Sequence, residues 1–326
     1  MKLKTFSITV LTLTLLICSN SFCFCNVDIT DESIETKLKT HCSSFCDFNK
    51  NNTTPVKAPC YDSTAEIKQL FNEQKNCLNT SNIEGLKKIY SDDYISNDGF
   101  NKATLFNLYQ DTLKNHPDIK YDVLISKLSV EGNYATVKAI NKSTATTAEK
   151  SNITGDNGLL NIDMETIFYL KKTGAEWKIV AEQTISEKTS LLYGDCKNVG
   201  IQLFAPEYIC ANTEYTATLK MPAKYAKYAM GSIKKELITY PAQETPDIFK
   251  GFDSIGLVER IFKSNAKGNN ETIAASVAFA LPKIDKSTNN IDIQISGLGV
   301  LLQRVNVIVP QPQTPQVDQP AATAQK

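Results

Sequence analysis

The run from Asn161 to Glu187, NIDMETIFYLKKTGAEWKIVAEQTISE, constrains the fold of this chain most strongly. Apolar and polar residues alternate on both sides of Lys172-Thr173-Gly174. Period-two patterning around a glycine turn predicts two long antiparallel strands. In the second strand, Trp177, Ile179, Ala181, Gln183 and Ile185 are expected on one face. Lys178, Val180, Glu182 and Thr184 are then expected on the other. An isolated hairpin is marginal in water, so neighbouring segments must cover its apolar side.

Upstream the period is helical. Ser63 and Glu66 form a capping box ahead of an apolar stripe of Ile67, Leu70, Phe71, Cys77 and Leu78. A second box, Ser81 and Glu84, opens a shorter helix with Ile83, Leu86, Ile89 and Tyr90 inward. Asp92–Ser96 is expected to be a short extended piece and Asn97-Asp98-Gly99 a turn. A third helix is expected over Lys102–Lys114, stopped by His116-Pro117. Tyr121–Val130 and Tyr134–Asn141 then alternate as strands, and the polar run Lys142–Gly158 reads as a long mobile hairpin loop.

Three helices followed by four antiparallel strands is an α+β order. LKKIYSDDYISNDG at 86–99 and METIFYLKKTGAEWKIVAEQ at 164–183 resemble the helix-to-strand passage and closing hairpin of the nuclear-transport-factor-like superfamily. That superfamily is also called SnoaL-like or cystatin-like, and the resemblance covers about residues 64–193. It implies three helices on a curved antiparallel sheet that forms a cone-shaped pocket. Its members include isomerases, dehydratases, cyclases and non-enzymatic binding modules. The matching motifs are structural, so no catalytic residue is assignable from them. Candidates for the pocket are Tyr90, Asp93, Tyr94, Tyr109, Glu165, Trp177 and Gln183, with Asp92 beside them. A catalytic pocket would need a proton-transfer pair or a desolvated acid among these. The competing reading makes the adjacent acids solvated caps and the tyrosines core residues.

From Asp195 onward the pattern is strand after strand: Val199–Phe204, Glu214–Met221, Gly231–Thr239, Thr272–Leu281, Asn290–Ile295 and Gly299–Val309. Their spacing predicts an all-β, immunoglobulin-like sandwich over 195–310, with room for a short helix in Pro241–Gly256. Residues 311–326, rich in Pro and Gln, read as a disordered tail.

The first 25 residues read as a cleaved export signal: Lys2 and Lys4, the apolar run Phe6–Cys18, and a cleavage point after Cys25. A lipid anchor on Cys18 fits less well, because Ile17 stands where a small residue is wanted. Of nine cysteines, losing Cys18, Cys23 and Cys25 leaves Cys42, Cys46, Cys60, Cys77, Cys196 and Cys210. An even set in an exported chain points to disulfides. Cys196 and Cys210 are expected to pair with each other; the other four admit three pairings. Residues 26–60 carry a helical periodicity over Asp31–Phe48 and a linker after it. His41 beside Cys42 does not make a usual zinc spacing, and no phosphate-binding loop or nucleophile elbow occurs, so neither metal nor cofactor is expected.

Lys+Arg and Asp+Glu are both 35, giving a formal net charge of +0, which disfavours nucleic acid as a partner. Lys220, Lys224, Tyr225, Lys227 and Tyr228, followed by Lys234 and Lys235, form the one basic-aromatic run suited to an anionic polymer. Together these features predict an exported, non-enzymatic two-domain protein, monomer or homodimer. Its pocket would hold a small apolar ligand or an envelope protein. The alternative is a lyase or isomerase acting on a small apolar substrate. A third reading fills the pocket with the protein's own side chains.

Overall fold

The computed structural model describes residues 63–239, 245–280, 282–285 and 290–310. The expected signal segment, the Asp31–Phe48 helix, Cys42, Cys46, Cys60 and the Pro/Gln tail lie outside these residues. Helix α1 (Ser63–Asn79) buries Ile67, Leu70, Phe71, Gln74 and Leu78, one face at helical spacing. The chain then reverses through Ser81, held at φ 55°. Asn82 therefore caps α2 (Ile83–Ile89), its Oδ1 accepting from the Gly85 amide at 2.9 Å; the cap falls one residue later than the Ser81 box predicts. Asn101 caps α3 (Lys102–Asn115) in the same way, accepting from Thr104.

The strands of this half are β1 (Tyr90–Ser96), β2 (Lys120–Glu131), β3 (Tyr134–Lys150), β4 (Asn157–Thr173) and β5 (Glu176–Gly194). The expected loop over 142–158 is mostly ladder. β3 and β4 pair from Thr146↔Leu159 to Tyr134↔Lys171, leaving a short tip pinned by Asp156. Both Asp156 oxygens accept from the Gly194 amide at 3.1 Å, and Lys197 pairs with the same carboxylate. Helices α1–α3 pack on one face of β2–β5, where Ile67, Phe71, Leu86, Phe106, Val137, Phe168 and Ile179 form the first core.

Ten further strands follow: β6 (Gln202–Phe204), β7 (Tyr208–Cys210), β8 (Glu214–Lys220), β9 (Ala229–Leu237) and β10 (Lys250–Gly251), then β11 (Leu257–Lys263), β12 (Glu271–Phe279), β13 (Pro282–Asp285), β14 (Asn290–Ile293) and β15 (Gly297–Ile308). A single turn of helix, α4 (Ala223–Ala226), precedes β9. No helix occurs over 245–256. The separate sandwich expected after residue 194 is not what forms. β15 returns to pair antiparallel with the last part of β5, so one sheet runs β10-β9-β12-β15-β5-β4-β3-β2. The first part of β5 pairs instead with β1, in parallel. A smaller sheet, β11-β8-β6, faces the β9-β12-β15 end through a second core containing Leu219, Val258, Ile233, Ile273, Val277 and Leu301.

This topology corrects the expected Cys196–Cys210 bridge, because both thiols are free. Cys196 lies against Gly297 at the start of β15, whereas Cys210 pairs with Ile308 at its end. At about 3.3 Å per residue the two cysteines are roughly 36 Å apart, well over the ~7 Å that a disulfide allows between Cα atoms. Burial pushes the Cys196 thiol up to about 12, so it stays protonated and inert.

The β5–β15 junction depends on Gly194, at φ 54° and ψ −136°. A Cβ there would lie 2.0 Å from the Ser296 carbonyl oxygen. Gly194→Ala is expected to lower stability by at least about 2 kcal/mol in urea denaturation, because both the backbone region and the space require glycine.

Candidate functional site

The β4–β5 ladder slips twice. Pairing goes from Tyr169↔Ala181 to Leu170↔Ile179, leaving Val180 out, and from Glu165↔Ser186 to Thr166↔Thr184, leaving Ile185 out. Each bulge flips the alternation that follows it. Trp177 and Ile179 face the helices, but after the first bulge Glu182 and Thr184 are the buried residues, and Gln183 is not. An acid expected on the polar face is thereby turned under the helices.

A cavity of about 40 Å³ lies between α1, α3 and the inner face of β2–β5. Glu182, Gln74, Tyr109, Tyr121, Asn141 and Thr166 supply its polar wall. Leu78, Val123, Ile162, Met164 and Phe168 supply the apolar one. Asp122 marks the rim, ion-paired to Lys75 of α1 at 2.6 Å. Asn79 ties the same edge, its amide group donating to the Tyr121 carbonyl and its Oδ1 accepting from the Tyr121 amide. Behind the cavity, Gln74 Nε2 donates to Tyr90 Oη at 2.8 Å, and the Tyr90 and Tyr109 hydroxyls are 3.5 Å apart. Tyr90 stacks edge-on against both Tyr94 and Phe106. Gln74 Oε1, Tyr121 Oη and Tyr94 Oη are buried without a hydrogen-bond partner.

The electrostatics follow from burial. Desolvation raises the Glu182 carboxyl to about 7; Tyr94 opposes the rise and the negative charge of Asp98 adds to it. The Tyr94 hydroxyl is near enough to polarise this carboxyl but makes no hydrogen bond of normal geometry with it. Burial likewise holds the Tyr90, Tyr94, Tyr109 and Tyr121 hydroxyls above the usual phenol range. At neutral pH the cluster therefore presents protonated phenols around a carboxyl poised to gain or lose a proton.

The sequence candidates separate into three groups. Tyr90, Tyr94 and Tyr109 belong to this cluster. Trp177 is buried in the same core, but its Nε1 donates to Glu66 Oε2 at 3.0 Å, away from the cavity. Asp93, Glu165 and Gln183 are excluded from it. Asp93 is exposed and accepts from Ser91, and Asp92 beside it pairs with Lys102. Glu165 lies on the outer face with Lys138, and Gln183 accepts there from Tyr169. Sequence reasoning missed Glu182, Gln74 and Tyr121. Gln74 interrupts the apolar stripe of α1 and is a legible signal; no signal short of the bulges identifies Glu182.

In the lysine-tyrosine run, Lys224 and Lys227 lie over the Tyr225 and Tyr228 rings that adjoin them in sequence. Tyr225 packs on Phe279 of the second core, and Lys234 and Lys235 are taken up by Glu236 and Glu271. Lys220 stays exposed on β8. Among the described residues no group of three or more His, Cys, Asp or Glu side chains is placed to hold a metal, and no helix is long and apolar enough to cross a membrane.

No family model matches the sequence, and no curated protein does. Among solved structures, the chain is similar to a protein named as a scytalone dehydratase from Novosphingobium aromaticivorans. The identity is 12%, over 37% of this chain and 82% of that one, with a TM-score of 0.33. It is also similar to the hexachlorocyclohexane dehydrochlorinase LinA type 3 of Novosphingobium barchaimii, at 16% identity over 37% and 84% and a TM-score of 0.32. A protein named as a dehydratase of the NTF2-like family, from Streptomyces avermitilis, is similar at 12% over 37% and 93%, also with a TM-score of 0.32. Similarity of this extent speaks to neither substrate nor reaction.

Proposed function

We propose that the helix-covered half of this chain is a general acid–base site for a small carbonyl compound, the chemistry of a lyase or isomerase. The observation that carries this is Glu182: a carboxyl raised to about 7 on the wall of a cavity that also holds the unpartnered Gln74 Oε1 and Tyr121 Oη. A base poised near neutral pH removes a proton most effectively. Glu182 takes the proton from carbon next to the carbonyl, and the C–H electron pair moves to the carbonyl oxygen. Tyr109 or Tyr121, held protonated, donates a hydrogen bond to that developing oxyanion. Collapse then returns the proton to a different carbon, or expels a leaving group.

The test is deuterium incorporation, followed by NMR, into acetone, acetoacetate and 2-cyclohexenone in D₂O. Exchange is expected with wild type, rising through pH 7 as Glu182 ionises. Glu182→Gln is expected to lower it by about 10²–10⁴-fold. Absence of exchange with every probe, or full exchange in the variant, refutes the reading.

A second reading is favoured by the cavity's size. About 40 Å³ admits roughly three water molecules, so substrate entry requires α1 to part from β2 at the Lys75–Asp122 bridge. A cavity that stays closed suits a non-enzymatic, exported binding or interaction protein, and Glu182 is then a structural residue. Exchange of the Tyr121 amide on the millisecond-to-minute scale separates the two, since only the enzyme needs this edge to open.

A further inference from the structure

Gln74 uses one half of its amide and leaves the other half bare. It is 3% exposed and stands where the α1 stripe of Ile67, Leu70, Phe71 and Leu78 would accept an apolar side chain. Its Nε2 donates to Tyr90 Oη, while Oε1 is buried without a donor to meet it, and the residue lines the cavity. A buried carbonyl oxygen left unpaired is destabilising, and an apolar residue at this position would avoid that loss. We propose that Gln74 selects the ligand: its Oε1 accepts from a hydroxyl on the carbon next to the carbonyl, so the substrate is a small α-hydroxy carbonyl compound. The inference rests on the acid–base reading for the carbonyl and on Gln74 for the hydroxyl.

The two bare atoms of the cavity differ in what they can do. Gln74 Oε1 can only accept a hydrogen bond, whereas Tyr121 Oη, kept protonated by burial, can donate one. In the closed cavity both are held by α1. Asn79 grips the Tyr121 backbone at its amide, at 2.8 Å, and at its carbonyl, at 2.9 Å. Gln74 lies about 7.5 Å further back along the same helix. A ligand that satisfies both atoms must offer one donor and one acceptor.

A plain ketone or aldehyde meets Tyr121 and leaves Gln74 Oε1 unpaired, while a hydroxyl beside the carbonyl satisfies both. The volume of about 40 Å³ favours the smallest molecules that carry the two groups, in which they sit on adjacent carbons. Among the described residues no Lys, Arg or His lines the cavity, so a phosphate ester finds no counter-charge there. An amide oxygen has no proton to give, so a hydroxyl resting on Gln74 is not helped to depart as water. It is a recognition group and not a leaving group.

The test is binding to the full chain, which needs no turnover. In NMR titrations of wild type, hydroxyacetone is expected to bind at least about tenfold more tightly than acetone or fluoroacetone, which is close to it in size but has no O–H. Gln74→Met, similar in length and without an accepting oxygen, is expected to bring the three probes within about threefold of one another. The Gln74 side-chain amide resonance gives a second readout that needs no variant: hydroxyacetone is expected to shift it and acetone to leave it in place. No hydroxyl preference in wild type, a preference that survives in Gln74→Met, an unmoved Gln74 resonance or no binding by any probe overturns the proposal. Hydroxyl preference without deuterium exchange would refute the acid–base reading and keep Gln74 as the selector. Exchange without hydroxyl preference would do the reverse.

Discussion

Glu182→Gln is expected to raise stability above pH 7 by about 3 kcal/mol relative to wild type, and to leave it nearly unchanged at pH 4. The sign follows from proton uptake. The carboxyl titrates near 7 in the folded chain and near its ordinary value of 4.5 once unfolded. Between those limits the folded state holds the proton and the unfolded state does not, so stability falls as pH rises through the window. Above pH 7 the wild type carries a buried charge next to Asp98, which the neutral amide removes. His116 acts in the opposite sense. Its imidazole is held below the usual range by burial, so it costs stability as pH falls below its unfolded value of 6.5. Comparing the variant with wild type cancels that contribution. Urea denaturation at pH 4, 6 and 8 measures the difference. Parallel curves for the two proteins would show that Glu182 does not titrate in this window. Gain of stability with loss of proton exchange would mark a residue kept for chemistry at the expense of the fold.

The second large effect is expected at the ion pair joining the two halves of the chain. Arg304 of β15 donates from Nη1 and Nη2 to the two Asp98 oxygens at 2.9 and 2.8 Å, and both side chains are fully buried. Asn270 donates to the same carboxylate, and Asn306 accepts from Arg304 Nε at 2.7 Å. Removing one partner leaves a charge in the core, so Asp98→Leu or Arg304→Met alone is expected to cost about 3–5 kcal/mol. The double variant is expected to cost less than either single one, because no charge is then stranded. A double-mutant cycle in urea reads this directly; additive losses would show that the pair carries no coupling. In both single variants one cooperative transition should give way to two, as the β15 side of the sheet loosens from the helix-covered side.

These two residues also show how far sequence reasoning reaches. Asp98 reads simply as a turn residue, between Asn97 and Gly99. It does lie in a turn, but one that Arg304, 206 positions later, covers completely. Glu182 reads as a polar-face residue because alternation counted from Trp177 assigns it there. One skipped residue, Val180, reverses the assignment. Cys196 and Cys210 read as a pair because they are close in sequence, yet they lie at opposite ends of β15. In each case a spacing was counted correctly and its partner in space was not visible.

The sequence by itself determined the local elements: α1 from its apolar stripe, α3 from its repeat and stop, and the β4–β5 hairpin from alternation around Gly174. Those are properties of neighbouring residues, set by helical and pleated geometry and by where apolar side chains must point. Only the tertiary structure decided that β15 would complete the sheet at β5, that two bulges would turn Glu182 inward, and that Asp98 would be buried. The physical reason is the range of the interactions. Strand pairing and charge burial are settled by groups up to two hundred residues away, whose contribution no local period records.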